Sequence, residues 1–275
     1  MRPALRSRRA NILLVKRLLA GAGARPRRRL GQSFLVDPAG IDVFVGAVSR
    51  VGGEWWLEIG TGPGLLTCSV SDTVGFVVGY EIDLRMARAA SSLCSSGGRA
   101  LVVHGDGLAG LSAWEGPVYS NTPYNLTARI ISGLARASRV PAAVLGMQHE
   151  LALRVTARPG TRDYGRLSVL AQLFFDVEYA GFLRRGWFYP PPRVDGAVVV
   201  LRRRMEWSDV FDGFEDFTAC LFHQRNRLAG KVLRRCTGGS LEVRGLSGLR
   251  VRDLSPSDIL EVYLEWRRGG SARQG

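Results

Sequence analysis

Asn121, Pro123 and Tyr124 fall within the pentapeptide Asn121-Thr122-Pro123-Tyr124-Asn125, directly after the short apolar run 117–120. The carboxamide oxygen of Asn121 and the backbone carbonyl of Thr122 or Pro123 could accept both hydrogens of an exocyclic amine. Such an amine is a poor nucleophile while its lone pair is delocalised into a ring. Two acceptors turn the nitrogen toward sp³ and aim the lone pair outward. The Tyr124 ring would stack on the heterocycle and fix the angle of in-line attack, so most of the acceleration comes from positioning. No histidine is required, and His104, His149 and His223 stand near no other catalytic-looking group. In isolation the pentapeptide also reads as a strand-to-loop turn, because Asn and Pro are turn formers.

Its context upstream narrows the reading. The buried-type run Trp55–Ile59 leads into Gly60-Thr61-Gly62-Pro63-Gly64, and a glycine turn between strand and helix lets a ligand approach the backbone closely. The next apolar run, 76–80, ends in Glu81, placed like the acid that accepts hydrogen bonds from both hydroxyls of an adenosine ribose. A third run, 100–103, is followed by Gly105-Asp106-Gly107, whose acid could accept from an adenine amine. Each signal alone is weak: Glu81 could cap a helix and Asp106 could be a turn aspartate. In register at successive strand ends they imply an adenosine-bearing cofactor. NAD and S-adenosylmethionine both fit, although Gly60-x-Gly62-x-Gly64 departs from the usual dinucleotide spacing.

To bring four strand ends to one edge, the chain must alternate strands and helices. Apolar runs predict strands near 55–59, 76–80, 100–103, 117–120, 142–147, 172–179 and 196–202, and amphipathic stretches predict helices at 41–50, 64–73, 84–95, 126–138 and 148–157. This is an α/β pattern around a mostly parallel sheet, with ligands outside its carboxyl edge. Beyond Arg204 the periodicity is helical (214–222, 225–236, 257–267), which predicts a small helical domain. The organisation read from this is a basic N-terminal arm at 1–29, a Rossmann-like domain at 30–204, a helical domain at 205–268 and a tail at 269–275.

The 275 residues carry 38 Lys+Arg against 24 Asp+Glu, and 46% are hydrophobic, enough for a sizeable core. No apolar run approaches the roughly 20 residues of a membrane span. Ten basic residues and no acid fall within 1–36, leaving 28 against 24 for the remainder. Such an arm reads as a polyanion-binding surface, in preference to a solvated tail or an organelle transit peptide. Cys68, Cys94, Cys220 and Cys236 are widely spaced, with no Cys-x-x-Cys pair and no nearby histidine. Neither a metal site nor a disulfide framework is expected, and a reducing, cytoplasmic interior fits.

Several segments together resemble the dimethyladenosine transferase family, the S-adenosylmethionine-dependent enzymes that dimethylate N6 of two adjacent adenosines near the 3′ end of small-subunit ribosomal RNA. They are Leu30-Gly31-Gln32-Ser33-Phe34-Leu35, the stretch from Leu57 to Thr67, Glu81-Ile82-Asp83, Gly105-Asp106, the stretch from Asn121 to Thr127, Tyr164-Gly165-Arg166-Leu167-Ser168 and the stretch from Phe188 to Asp195. The resemblance covers nearly everything from Arg28 to about Arg235. It implies a Rossmann-like S-adenosylmethionine-dependent methyltransferase sheet with a small C-terminal helical domain. By that similarity Gln32, Ser33 and Leu35 border the methionine part of the cofactor, Gly60 and Gly62 approach it through their backbone, Glu81 holds the ribose, Asp106 the adenine, and Asn121 touches the cofactor as well as the target base. Asn121, Pro123 and Tyr124 would hold the target base, with Phe188 on its opposite face. Ser33 stands where the family commonly has Asn or His, and Thr122 where it commonly has a larger aliphatic residue; activity is expected to survive both.

The basic segment from Phe222 to Arg235 resembles the basic helix of the family's small domain. Arg225, Arg227, Lys231 and Arg234, together with Arg27, Arg28 and Arg29 beside the cofactor entrance, are the expected phosphate contacts. The implied partner is small-subunit rRNA or a precursor particle of that subunit, with no membrane, and a monomer is expected. Two alternatives share the motifs: a large-subunit adenine methyltransferase of the erythromycin-resistance type, and an assembly factor whose catalysis is dispensable. An NAD-dependent oxidoreductase would leave 121–124 and the basic arm without a role.

Overall fold

A computed structural model describes residues 7–27, 31–94, 97–121, 126–239, 245, 246 and 248–271. Its elements in chain order are α1 (Arg8–Gly21), β1 (Phe34–Leu35), α2 (Pro38–Val51), β2 (Trp55–Ile59), α3 (Leu65–Ser71), β3 (Phe76–Glu81), α4 (Leu84–Cys94), β4 (Ala100–His104), α5 (Gly107–Gly110), β5 (Val118–Asn121), α6 (Thr127–Arg136), β6 (Ala142–Gln148), α7 (His149–Val155), α8 (Arg166–Phe174), β7 (Phe175–Leu183), β8 (Phe188–Tyr189), β9 (Gly196–Arg203), α9 (Phe214–Phe222), α10 (Ala229–Cys236) and α11 (Pro256–Ser271).

Seven strands form one sheet in the order β4-β3-β2-β5-β6-β9-β7. β2 pairs in parallel with both β3 and β5, and β9 runs antiparallel to β6. Strand order therefore reverses between β2 and β5, which makes that point of the carboxyl edge the switch point where such sheets bind ligands. The fold is the expected Rossmann-like α/β sheet. Central strands are covered on both faces, so they read as unbroken apolar runs: Ala142, Ala143, Val144, Leu145 and Met147 of β6 are all buried. Asp37 caps α2 by accepting from Ala39 N at 3.0 Å, and Pro38 occupies the first helical turn, where no amide donor is needed.

Four expectations are corrected. First, no helix is expected ahead of residue 41, yet residues 8–21 of the basic arm form α1. Asn11, Val15 and Leu19, spaced by four, bury one stripe of it while Arg8, Arg9, Lys16 and Arg17 stay exposed. Asn11 Nδ2 donates to the Val36 carbonyl at 2.8 Å, tying α1 to the segment that follows β1. Second, the strand expected at 172–179 is divided: α8 continues to Phe174 and β7 occupies Phe175–Leu183. Gln172 belongs to the helix, its Nε2 donating to the Val155 and Ala157 carbonyls at 2.8 Å each.

Third, disulfides join Cys68 to Cys94 and Cys220 to Cys236, with Cα separations of 5.5 and 6.0 Å. Helix packing within each unit closes 26 and 16 positions of sequence, a proximity that spacing alone does not reveal. Fourth, the chain divides into Met1–Ala152 with Val177–Arg203, and Leu153–Asp176 with Arg204–Gly275. Residues 153–176, expected in the sheet domain, belong with the helical unit, and Arg204 is only one of the crossings.

The second unit is built on aromatic packing. Phe211 meets Phe174 at 4.9 Å between centroids, and Tyr263 meets Phe214 at 5.2 Å and Phe217 at 5.3 Å. Buried Tyr164 donates to the Leu254 carbonyl at 2.9 Å, satisfying its hydroxyl inside that core.

Candidate active site

At the switch point of the first unit lies a cavity of ≈ 310 Å³. It is lined by all eight residues expected to touch a cofactor: Gln32, Ser33, Leu35, Gly60, Gly62, Glu81, Asp106 and Asn121. Four strand ends and the segment leading into β1 thus meet at one place. The glycine turn is shaped for a ligand. Gly60 has φ +83°, and no atom lies within 4 Å of where its Cβ would sit, so a side chain there would occupy the cavity itself. Gly62 has φ +53°, and a Cβ would meet the Phe34 ring at 2.8 Å, so the turn and β1 can close together only over glycine.

Glu81 is held rigidly. Its Oε2 accepts from Gly62 N at 2.8 Å and its Oε1 from Asp83 N at 3.0 Å, which aims one further lone pair on each oxygen outward. Burial raises its pKa above the ordinary carboxylate value, opposed by these two backbone donors. Asp106 Oδ1 caps the short helix α5 through Leu108 N at 3.0 Å, so the turn role and the ligand role coexist, with the other oxygen available. Ile82 is an apolar side chain left 67% exposed beside Glu81. With Leu108 it gives the cavity the apolar walls a flat base requires.

Below the turn, Glu58 is buried and accepts from the Tyr119 hydroxyl at 2.9 Å. Desolvation holds its carboxyl up at about 8, partly offset by that bond.

Asn121 ends β5 with its Nδ2 donating to the Ser33 carbonyl at 3.3 Å. Ser33 Oγ in turn donates to the Pro190 carbonyl at 2.6 Å. One N–H of the carboxamide is used in this way, which assigns Nδ2 to the Ser33 side and leaves Oδ1 as the acceptor. Ser33 therefore acts through its backbone, which explains why a small side chain serves at this position. Gln32 Oε1 accepts from Arg27 N at 2.8 Å and fixes the loop ahead of β1.

Other expected residues are placed differently. Phe188 does not line the cavity; it is 2% exposed, paired with Leu35 across the β1–β8 ribbon and packed into the core. Pro123, Tyr124, Arg28 and Arg29 lie outside the described residues. Arg27 stands 3.9 Å from the largely covered Asp83 carboxylate, a long pairing at the limit of an ion pair. Arg225 Nη2 donates to the Thr161 and Arg162 carbonyls at 3.2 and 2.7 Å and so clamps the second unit. Arg227, Lys231 and Arg234 are exposed, the last two on the outer face of α10 while Val232 and Leu233 face inward.

Glu58, Tyr80, Ile82, Leu108 and Arg129 also line the cavity without having been singled out. Glu58, Ile82 and Leu108 sit one or two residues from a chosen strand-end group and could have been found by extending each motif. Arg129, one turn into α6, carries no such signal. Among the described residues no cluster could hold a metal ion and no helix is long and apolar enough to cross a membrane.

The family model for ribosomal RNA adenine dimethylase matches residues 23–242. Over 215 residues, 77% of each chain, the protein is 43% identical to a probable ribosomal RNA small subunit methyltransferase A from Aeropyrum pernix. A dimethyladenosine transferase from Plasmodium falciparum shares the fold at a TM-score of 0.74 and 22% identity, covering 86% of this chain and 98% of that one. The 23S rRNA methyltransferase ErmE superposes at 0.64 with 27% identity, covering 85% and 99%. On the extent of these matches, the chain belongs to the ribosomal RNA adenine dimethylase family.

Proposed function

We propose that this protein transfers methyl groups from S-adenosylmethionine to N6 of two adjacent adenosines near the 3′ end of small-subunit rRNA. The observation that carries the reading is Asn121: its side chain, anchored by Nδ2 on the Ser33 carbonyl, lines the cavity in which Glu81, Asp106 and the Gly60–Gly64 turn converge. Bound there, S-adenosylmethionine supplies an electrophilic sulfonium methyl. Glu81 accepts from the ribose hydroxyls, Asp106 from the adenine amine, and Gly60 leaves the space its side chain would fill. Asn121 Oδ1 and the Pro123 carbonyl accept the two N6 hydrogens, so that the nitrogen lone pair points at the reacting carbon, and Tyr124 stacks on the ring. In each transfer the nitrogen would gain the methyl as the sulfonium carbon–sulfur bond breaks, leaving the neutral thioether S-adenosylhomocysteine, and would shed one proton to solvent, so no strong base is needed. The adenosine reaches this site unstacked from its neighbours, at a cost of a few kcal/mol that phosphate contacts offset.

We assign those contacts to Arg27, Arg28, Arg29, Arg227, Lys231 and Arg234. The substrate is small-subunit rRNA within a precursor particle, met by a monomer in the cytoplasm. The test is Asn121→Ala: methyl incorporation into isolated small subunits falls at least a hundredfold, while calorimetry shows S-adenosylmethionine bound nearly as before. Unchanged turnover rejects the role of Asn121. Incorporation into large subunits alone moves the protein to the ErmE-like specificity.

A further inference from the structure

A second concavity in the first unit is lined by Arg8, Phe182, Arg184, Arg185, Trp187 and Asp195. It opens at the end of β7, an edge strand of the sheet. Its charges are arranged for an anion. The one acid, Asp195, is occupied by Arg185 N at 2.7 Å, and Arg8 Nε donates to the Gly186 carbonyl at 2.7 Å, which fixes the guanidinium and leaves its two terminal nitrogens for a ligand. The Arg184 guanidinium lies 5.9 Å from the centre of the Trp187 ring, a cation–π pair that holds it over the groove.

Aromatic rings stand beside these charges without an apolar cover. Phe182 is 40% exposed and Tyr179 is 37% exposed. Both are propped from behind by His149, whose ring meets Phe182 edge-on at 5.1 Å and whose Nδ1 lies 3.2 Å from the Tyr179 hydroxyl. Rigid exposed rings interleaved with arginines are the composition of a single-strand nucleic-acid track, with bases on the rings and phosphates on the guanidinium groups. The groove is tied to the cavity wall through the backbone. The Trp187 carbonyl accepts from Val36 N at 2.9 Å and Asp37 N at 3.1 Å. The next residue, Phe188, pairs with Leu35, which lines the cavity wall.

We propose that this groove holds a single-stranded stretch of the substrate RNA flanking the target adenosine. The identity of the occupant rests on the function proposed above; the chemistry of the surface does not. The experiment measures binding of a fluorescein-labelled single strand, copied from the 3′ region of small-subunit rRNA, by anisotropy across a salt series. The variants are Arg184→Ala/Arg185→Ala and Phe182→Ala, all exposed side chains. Removing both arginines lowers the slope of log affinity against log salt by about 1.4, at about 0.7 per phosphate contact on a single strand. Phe182→Ala weakens binding about tenfold with the slope unchanged. S-adenosylmethionine affinity and the unfolding midpoint stay at wild-type values in all variants. An unchanged slope with affinity within twofold of wild type overturns the proposal. Wild-type RNA binding combined with weaker co-sedimentation on intact small subunits overturns it too, in favour of a ribosomal-protein contact. If the wild-type protein methylates no rRNA, the proposed function fails, while the salt slope still decides the groove.

Discussion

Replacing Glu81 by Gln tests the cofactor assignment at its most constrained atom pair. The side chain is 6% exposed and each oxygen already receives one backbone N–H, from Gly62 at 2.8 Å and from Asp83 at 3.0 Å. A carboxamide must turn its NH₂ against one of these donors. Asp83 is the less buried of the two, so the amide oxygen stays on Gly62 and the NH₂ opposes Asp83 N. An unpaired donor there costs about 1–3 kcal/mol, with the lower end applying to the free protein because water can reach the site. On the ligand side, one acceptor for a ribose hydroxyl is lost. At 1.4 kcal/mol per tenfold, S-adenosylmethionine affinity falls about 5- to 150-fold. Calorimetry near neutral pH gives the affinity, and thermal unfolding without ligand gives the stability term. The pH dependence follows the direction of the shift: the Glu81 pKa is raised, so wild-type affinity declines as pH falls through that raised value, and the Gln variant loses this decline. Affinity within twofold of wild type, with its pH dependence intact, would refute the assignment.

Other expectations follow from the same geometry. In Gly146→Ala the new Cβ lies 3.0 Å from Asn121 Oδ1 and 3.0 Å from Phe44 Cε2, so the carboxamide must rotate; kcat falls about 10- to 100-fold while calorimetry shows cofactor binding unchanged. Glu58 has a folded pKa of about 8 against 4.5 for the free group. The native state therefore binds more protons between these values, and stability declines as pH rises through that window. Urea unfolding from pH 5 to pH 8 shows this decline in wild type and a flatter profile in Glu58→Gln, which still accepts from Tyr119. Loop closure over 26 and 16 residues makes the disulfides worth about 3 kcal/mol each. Cys68→Ser/Cys94→Ser and Cys220→Ser/Cys236→Ser each lower the urea midpoint accordingly, and a reductant has no further effect on the bond removed.

The sheet was legible because its strands are apolar and its strand ends carry unlike ligand groups: Gly60, Glu81, Asp106 and Asn121 could be put in register before any coordinates. What escaped depended on distance between segments remote in sequence. Helix α1 looked like a charged tail because its arginines dominate, although the Asn11, Val15, Leu19 stripe was there to be seen. The run Val169–Phe175 is apolar but for Gln172, so periodicity could not separate the end of α8 from the start of β7. Arg225 looked like a phosphate ligand, and only the fold reveals the Thr161 and Arg162 carbonyls opposite it. Phe188 carried a motif but its ring is enclosed by β1 and its neighbours.

Helix α1 bears on how this protein can be handled. A shortened form starting near residue 25, designed on the view that an Arg-rich leader is dispensable, would uncover the apolar surface that Val15 and Leu19 fill and would release the Val36 carbonyl from Asn11. The loosened peptide is the one that carries Ser33, so the truncated enzyme would lose its grip on the Asn121 amide that the Ser33 carbonyl holds. Affinity tags and fluorophores therefore belong on the carboxyl-terminal side.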